Sequence, residues 1–105
     1  MNGFKNITVA ALEKLLPSDE VHLLDVRTDA EIAQGKIPQG KSLPLHLIPL
    51  QMSQLDKGAT TILYCRSGGR SAQAAAFFAA NGFVDIYNLQ GGIIAWVNAG
   101  FPVES

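Results

Sequence analysis

The sequence predicts an α/β fold with a central parallel sheet flanked by helices on both faces, and two patterns predict it. Short runs rich in Val, Leu and Ile, of the length of strands buried on both sides, occupy residues 21–26, 60–64 and 85–89. Segments with helical spacing separate these runs, and such alternation is typical of parallel sheets. With 105 residues, 48% of them hydrophobic, we expect residues 1–105 to form a single domain.

Capping and turn residues mark the predicted elements of the first half. Thr8 is a good N-cap for a helix that Pro17 would end. Thr28 or Asp29 would start a short helix that Gly35 closes. Two segments carry weaker signals, an extended loop with a brief strand over 37–44 and a helix over 47–55.

The second half has stronger signals and holds the cysteine. Alanine-rich spacing predicts a helix over 71–81 that Gly82 stops, and a last helix over 92–99. The predicted strand over 60–64 leads directly into Cys65. In open α/β sheets ligands bind beyond the carboxyl ends of the strands, and Cys65 is predicted to lie there.

Charge and composition exclude several classes of function. The net charge of -1 comes from scattered residues, so neither a nucleic-acid stripe nor a polybasic membrane patch is present. No apolar stretch approaches the ~20 residues of a transmembrane helix, and residues 1–16 lack signal-peptide order. The single cysteine excludes an internal disulfide and makes a reducing cytoplasm the expected location. Neither His22 nor His46 has a partner at metal-ligand spacing, so we expect no metal and no cofactor.

The segment that begins at Cys65 is the strongest indication of chemistry. Its two glycines allow successive amides to turn toward one point, and the helix predicted to begin near Ser71 favours an anion. Its two arginines add positive charge, and such surroundings stabilise a thiolate. We therefore interpret Cys65 as the catalytic nucleophile and the residues after it as a substrate- and anion-binding loop: Arg66, Ser67, Gly68, Gly69, Arg70 and Ser71.

Two other interpretations of this loop are weaker. A lone cysteine is usually a small buried hydrophobe, but two arginines and two glycines within five positions are unusual around an inert thiol. Cysteine-dependent phosphatases place five residues between cysteine and arginine, whereas four separate Cys65 from Arg70. We expect the tighter ring to accommodate one bound sulfur more readily than a tetrahedral phosphate.

Four motifs occur in a fixed order along the chain: Leu24–Arg27 with Glu31 four residues on, Gly35–Pro38, Cys65–Ser71, and Leu89–Gly92 followed by Trp96, Gly100 and Pro102. In these motifs the sequence resembles the single-domain rhodanese family of thiosulfate sulfurtransferases, over nearly its whole length. The resemblance implies a three-layer α/β fold around a parallel sheet. Lys36 stands where the family usually has histidine.

The resemblance implies a double displacement through a Cys65 persulfide. The thiolate would take the outer sulfur of thiosulfate or a similar donor, and a thiol or cyanide would accept it. The partners implied are these small molecules, with a thiol protein or a persulfide-donating protein as a further possibility. Three alternatives stay open: a sulfur carrier, a non-catalytic rhodanese-like interaction module, and a cysteine-dependent phosphatase or arsenate reductase.

Four further residues are supporting candidates. Asp25, at a strand end, would either orient a loop residue or pair with Arg27. Arg27 and Glu31 are spaced to pair with each other or with nearby backbone. Lys36 would either face solvent or add positive charge near the mouth of the pocket.

Overall fold

Residues 3–105, the part of the chain that the computed structural model describes, form one five-stranded parallel sheet with helices on both faces. The strands are β1 (Lys5–Ile7), β2 (Val21–Asp25), β3 (Lys41–Ser42), β4 (Thr60–Tyr64) and β5 (Ile86–Leu89). They lie in the order β1-β5-β4-β2-β3, and each neighbouring pair is parallel. The predicted fold class is confirmed.

The helices connect these strands. They are α1 (Val9–Leu15), α2 (Asp29–Ala33), α3 (Ile48–Gln51), α4 (Gly69–Ala80) and α5 (Gly92–Asn98). Short 3-10 turns over Leu45–Leu47 and Met52–Gln54 flank α3 and occupy the region of the weak helical signal. Among residues 3–105, no helix is both long enough and apolar enough to cross a membrane.

Side chains of the sheet alternate between two cores because successive residues of a strand point to opposite faces. On β4, Ile62 and Tyr64 pack in the core that α1 and α5 cover. Leu63 and Cys65 belong to the opposite core, which α4 covers. The cysteine therefore emerges at the carboxyl edge of the sheet on the α4 side.

Local signals placed most helix boundaries correctly. The Thr8 side chain accepts a hydrogen bond from the Ala11 amide at 3.2 Å, as an N-cap does. Thr28 caps α2 in a full capping box with Glu31. Trp96 is buried, as a core residue on the last helix, and its indole N–H donates to the Pro102 carbonyl at 2.7 Å.

One helix start differs from the prediction, and one strand was not predicted. The helix after the cysteine begins at Gly69 rather than near Ser71, because Gly68 adopts a left-handed φ of 111° and serves as the N-cap. The strand β1 was not predicted, since its three residues form a strand only by pairing with β5 at the edge of the sheet.

Candidate active site

Cys65 follows the last residue of β4 and is only 1% exposed. Three donors converge on its sulfur. The Gly68 amide lies 3.1 Å from Sγ, while the amide and the hydroxyl of Ser71 each lie 3.4 Å away. All three belong to the turn and the first residues of α4, so the positive end of the helix faces the sulfur. This cradle favours a negatively charged sulfur.

The pKa of the Cys65 thiol is lowered by these donors. Burial of the sulfur acts in the opposite direction and raises the pKa. The Ser71 hydroxyl and amide, followed by the amides of Gly68 and Ser67, stabilise the thiolate by more, so the net shift is downward. A buried cysteine thus has a pKa below its ordinary value without a neighbouring base.

Of the two loop glycines, only Gly68 depends on the conformational freedom of glycine. Its φ of 111° lies in the left-handed region, which L side chains rarely adopt. Gly69 is already the first residue of α4 and has no positive φ. A Cβ added to Gly69 would meet no described atom within 4 Å, so this position leaves open space beside the loop.

Two backbone amides at the start of α5 hold the backbone of the cysteine loop. The Ile93 amide donates to the Cys65 carbonyl at 3.0 Å, and the Ile94 amide donates to the Arg66 carbonyl at 3.1 Å. Gly92, with a φ of 61°, permits this approach. A Cβ on Gly92 would lie 2.6 Å from the Cys65 carbonyl oxygen. The Gly91-Gly92 turn therefore fixes the backbone of the loop.

Asn88 is a neighbour of the site that sequence reasoning missed. It lies on β5, is 6% exposed, and its Oδ1 accepts a hydrogen bond from the Ser71 hydroxyl at 2.5 Å. Its Nδ2 donates to Asn6 on β1 at 3.3 Å. The Ser71 hydroxyl has one proton, so Asn88 and Cys65 compete for it. The sequence signal was a polar side chain within an otherwise apolar strand.

Arg70 and Glu31 form an ion pair at the edge of the site. The Arg70 Nη1 and Nη2 atoms lie 2.7 and 2.8 Å from Glu31 Oε1 and Oε2, a bidentate geometry. The Arg70 guanidinium, assisted by Thr28, lowers the pKa of Glu31 to about 2 against the opposing effect of burial. The side chains of Arg70 and Glu31 are 36% and 28% exposed. The pair connects α4 with α2.

Arg27 pairs with Asp25, one of the two roles expected for Asp25, and does not pair with the Glu31 carboxylate. Its Nη2 lies 2.7 Å from Asp25 Oδ2, and its Nε lies 3.0 Å from Oδ1. Arg27 also donates to the backbone carbonyls of Gly35 at 2.7 Å and Glu31 at 3.5 Å, so the expected backbone contacts are present. Burial lowers the pKa of Arg27, and Asp25 raises it by more.

Lys36 directs its charge toward the C-terminal segment. Its ammonium donates to the Gly40 carbonyl at 2.9 Å and lies 3.2 Å from the Glu104 carboxylate. The backbones of Lys36 and Glu104 also form an isolated antiparallel β-bridge. Lys36 is half-buried in this pair, a placement that neither expectation described.

Two cavities flank the ion pair of Arg70 and Glu31. One, of about 380 Å³, has an apolar wall from α5 and is lined by Arg27, Glu31, Gln34, Gly35, Arg66, Ile93, Ile94, Val97, Asn98 and Val103. The other, of about 310 Å³, is lined by Val26, Arg27, Thr28, Pro44, Leu45, His46 and Arg70. The ion pair therefore joins the walls of two cavities beside the Cys65 loop.

Within residues 3–105, no three side chains of His, Cys, Asp or Glu lie close enough together to hold a metal ion. The cationic side chains of the loop itself belong to Arg66, which is exposed, and to Arg70. The chemistry available is that of a thiolate, oriented amides and guanidinium groups.

These features define a class of α/β proteins in which a parallel sheet presents a cysteine to the amides at the start of a helix. The Rhodanese-like domain model matches residues 8–99, and the chain belongs to this family. A protein of Allochromatium vinosum named sulfurtransferase is 48% identical over 91 residues, covering 87% of this chain and 85% of its own. The thiosulfate sulfurtransferase GlpE of Ectopseudomonas mendocina is 32% identical over 105 residues, covering 100% and 94%.

The fold comparison agrees with the sequence comparison. The crystal structure of a rhodanese-like domain protein from Staphylococcus aureus superposes with a TM-score of 0.83 at 39% sequence identity. The superposition covers 97% of this chain and 100% of that one. The predicted resemblance to the rhodanese family is confirmed.

Proposed function

We propose that this protein is a sulfurtransferase that carries a sulfane sulfur as a persulfide on Cys65. The observation that carries the proposal is the set of three donors within 3.4 Å of a buried sulfur. Inert core thiols do not require such donors, whereas a thiolate and a persulfide anion both do. The relatives named sulfurtransferase support the same reaction class.

The first step forms one sulfur–sulfur bond and breaks another. The Cys65 thiolate attacks the outer sulfur of thiosulfate, and sulfite leaves with the electron pair of the broken bond. Cys65 retains the transferred sulfur as a persulfide anion, so charge is conserved. Because the pKa of the thiol is already lowered, the step needs no general base.

The second step returns the enzyme to its starting state. A cyanide ion attacks the terminal sulfur and leaves as thiocyanate, or a thiol takes the sulfur and becomes a persulfide. In both cases the Cys65 thiolate is the leaving group, and the donors that stabilise the resting thiolate also stabilise it as it departs. Cys65 is the single cysteine of the sequence, so the acceptor thiol comes from another molecule.

The loop residues have distinct proposed roles. Ser67, Gly68 and Ser71 supply amides to the sulfur, and the open space at Gly69 admits the donor. Arg66 and Arg70 would bind the oxygens of an anionic donor, since a guanidinium suits paired oxygens. Asp25 and Arg27 support the loop from within the fold rather than by touching substrate. We expect a cytoplasmic location, because a persulfide-forming thiolate needs reducing surroundings.

The test is intact-mass spectrometry of the reduced protein after mixing with thiosulfate. We expect a gain of about 32 Da, one sulfur atom, as a covalent cysteine intermediate requires. Cyanide should erase the gain, and Cys65→Ser should never acquire it. If thiosulfate, polysulfide and a protein persulfide all leave the mass unchanged, the protein is not a sulfurtransferase of this kind.

A further inference from the structure

Arg70 stands beside the sulfur cradle, but its guanidinium already has a partner. Both of its terminal nitrogens bind the Glu31 carboxylate, at 2.7 and 2.8 Å. This bidentate geometry uses the pair of N–H groups that the sulfonate oxygens of thiosulfate would need. A donor that is to bind Arg70 in this way must displace Glu31.

Glu31 is held in this position by its own helix. Its Oε1 accepts hydrogen bonds from the Thr28 amide at 3.1 Å and from the Thr28 hydroxyl at 3.2 Å. These contacts complete the capping box of α2, so the carboxylate is fixed independently of Arg70. A fixed carboxylate is harder to displace than a freely rotating one, because it loses its helix-capping contacts on leaving.

The charges around the loop come close to cancelling. The guanidinium and carboxylate side chains that line the two cavities are those of Arg27, Glu31, Arg66 and Arg70, and Asp25 pairs with Arg27. Arg27 is committed to Asp25, and Arg70 to Glu31. Arg66 therefore supplies the one positive charge in this set that has no carboxylate partner, and the Cys65 thiolate offsets it. An incoming dianion finds no net positive charge here.

We infer that Glu31 is a specificity-determining residue that disfavours sulfur donors with anionic oxygens beside the reacting sulfur, such as thiosulfate, and favours persulfides. The inference rests on the proposed sulfurtransferase function. Thiosulfate carries two negative charges and sulfonate oxygens that compete directly with Glu31 for Arg70. The reacting sulfur of a persulfide carries at most one negative charge and no oxygens, so it does not require the Arg70 guanidinium.

Both donors leave a persulfide on Cys65, as an anion from thiosulfate and in protonated form from a protonated persulfide. With thiosulfate, the Cys65 thiolate takes the outer sulfur and sulfite departs as a dianion. With a protonated persulfide, the thiolate takes the terminal sulfur with its proton, and the donor departs as a thiolate. The two reactions differ in the charge and oxygen atoms of the leaving group, which are the features that Glu31 opposes.

Glu31→Gln tests the inference because glutamine also completes a capping box at this helix position. The rate of Cys65 persulfide formation would be followed by rapid quenching and intact-mass spectrometry, with thiosulfate and with cysteamine persulfide, which has no carboxylate and whose ammonium balances its persulfide anion. We expect the ratio of the thiosulfate rate to the persulfide rate to rise about fivefold, the scale of a partly exposed ion pair. Asp29→Asn, which removes a neighbouring carboxylate on α2 outside this ion pair, is the matched control and should leave the ratio unchanged.

A double variant identifies the guanidinium responsible. In Glu31→Gln with Arg70→Gln, the gain for thiosulfate should disappear, because the released guanidinium is no longer present. Retention of the gain, an unchanged ratio in Glu31→Gln, or an equal fall of both rates would overturn the inference. Failure of the unmodified protein to accept sulfur from any donor would instead overturn the proposed function, and this inference with it.

Discussion

Two arginine–carboxylate pairs lie near the cysteine loop and differ chiefly in their exposure. Arg27 and Asp25 have side chains that are 6% and 1% exposed, whereas Arg70 and Glu31 are 36% and 28% exposed. Both arginines bind their carboxylates through two nitrogens. Water does not compete for the charges of the buried pair. The pair therefore stays formed and holds the carboxyl end of β2 in place. The exposed pair lies within reach of solvent and of an incoming anion, although the capping box of α2 holds its carboxylate in place.

The largest expected effect is the loss of the buried pair. Asp25→Asn leaves the Arg27 charge buried without a counter-ion, and removing one partner of such a pair costs about 3–5 kcal/mol of unfolding free energy. Urea denaturation followed by circular dichroism would measure it. The double variant Asp25→Asn with Arg27→Met, which removes both charges, should recover part of the loss. If Asp25→Asn lowers the unfolding free energy by less than about 1 kcal/mol, the buried pair contributes no more to stability than an exposed one.

An intermediate effect is expected at Cys65. Its buried thiolate is stabilised by hydrogen-bond dipoles rather than by a paired counter-charge. Ser71→Ala removes the hydroxyl that lowers the pKa of the thiol, so the pKa should rise. At pH values below the pKa of the thiol, the thiolate fraction should fall by up to about tenfold, the factor for a full charge-assisted hydrogen bond of ~1.5 kcal/mol, because Asn88 shares the hydroxyl proton. The pH profile of iodoacetamide alkylation would record the shift, and the exposed Ser53, as Ser53→Ala, should leave it in place. An unmoved profile in Ser71→Ala would assign the lowered pKa to the amides alone.

The smallest expected effect is on stability at the exposed pair. The pKa of Glu31 falls from 4.5 to about 2 on folding, so the contribution of the pair is full above pH 4.5 and disappears as pH falls through 2. Solvent screening keeps this contribution below about 1 kcal/mol. Glu31→Gln should therefore lower stability slightly at pH 7 and match the unmodified protein near pH 2. A constant difference between the two proteins across this pH range would contradict the assignment to the ion pair.

The sequence predicted the sheet and the position of the cysteine because both depend on local pattern. The apolar run of β4 ends at Cys65, and the turn after it contains Gly68, whose left-handed φ only glycine adopts readily. Periodicity also predicted α4, although the helix begins two residues before the expected Ser71. The amides that contact the sulfur belong to Gly68, just before these two extra residues, and to Ser71, just after them. The local sequence therefore predicted most of the segment that surrounds the sulfur.

The ion pairs and Asn88 depended on tertiary distance, which one sequence does not record. Glu31 could pair locally with Arg27, and its actual partner Arg70 lies 39 residues further along the chain. Asn88 reaches Ser71 only because β5 lies beside β4 in the sheet. Predicting these contacts requires the strand order, and a single sequence gives no direct signal for that order.

The alternation along β4 has a consequence for how this gene can change. Tyr64, the last residue of β4, faces the α5 layer, and Cys65 faces the α4 layer because it continues the alternation of the strand by one residue. Deleting a single codon within Thr60–Tyr64 would reverse that parity and turn the sulfur away from its donors. Codon loss or gain in the exposed turn over residues 56–58, before the strand, would leave the parity intact. The reactivity of the thiol is thus encoded in a count of residues as well as in their identities.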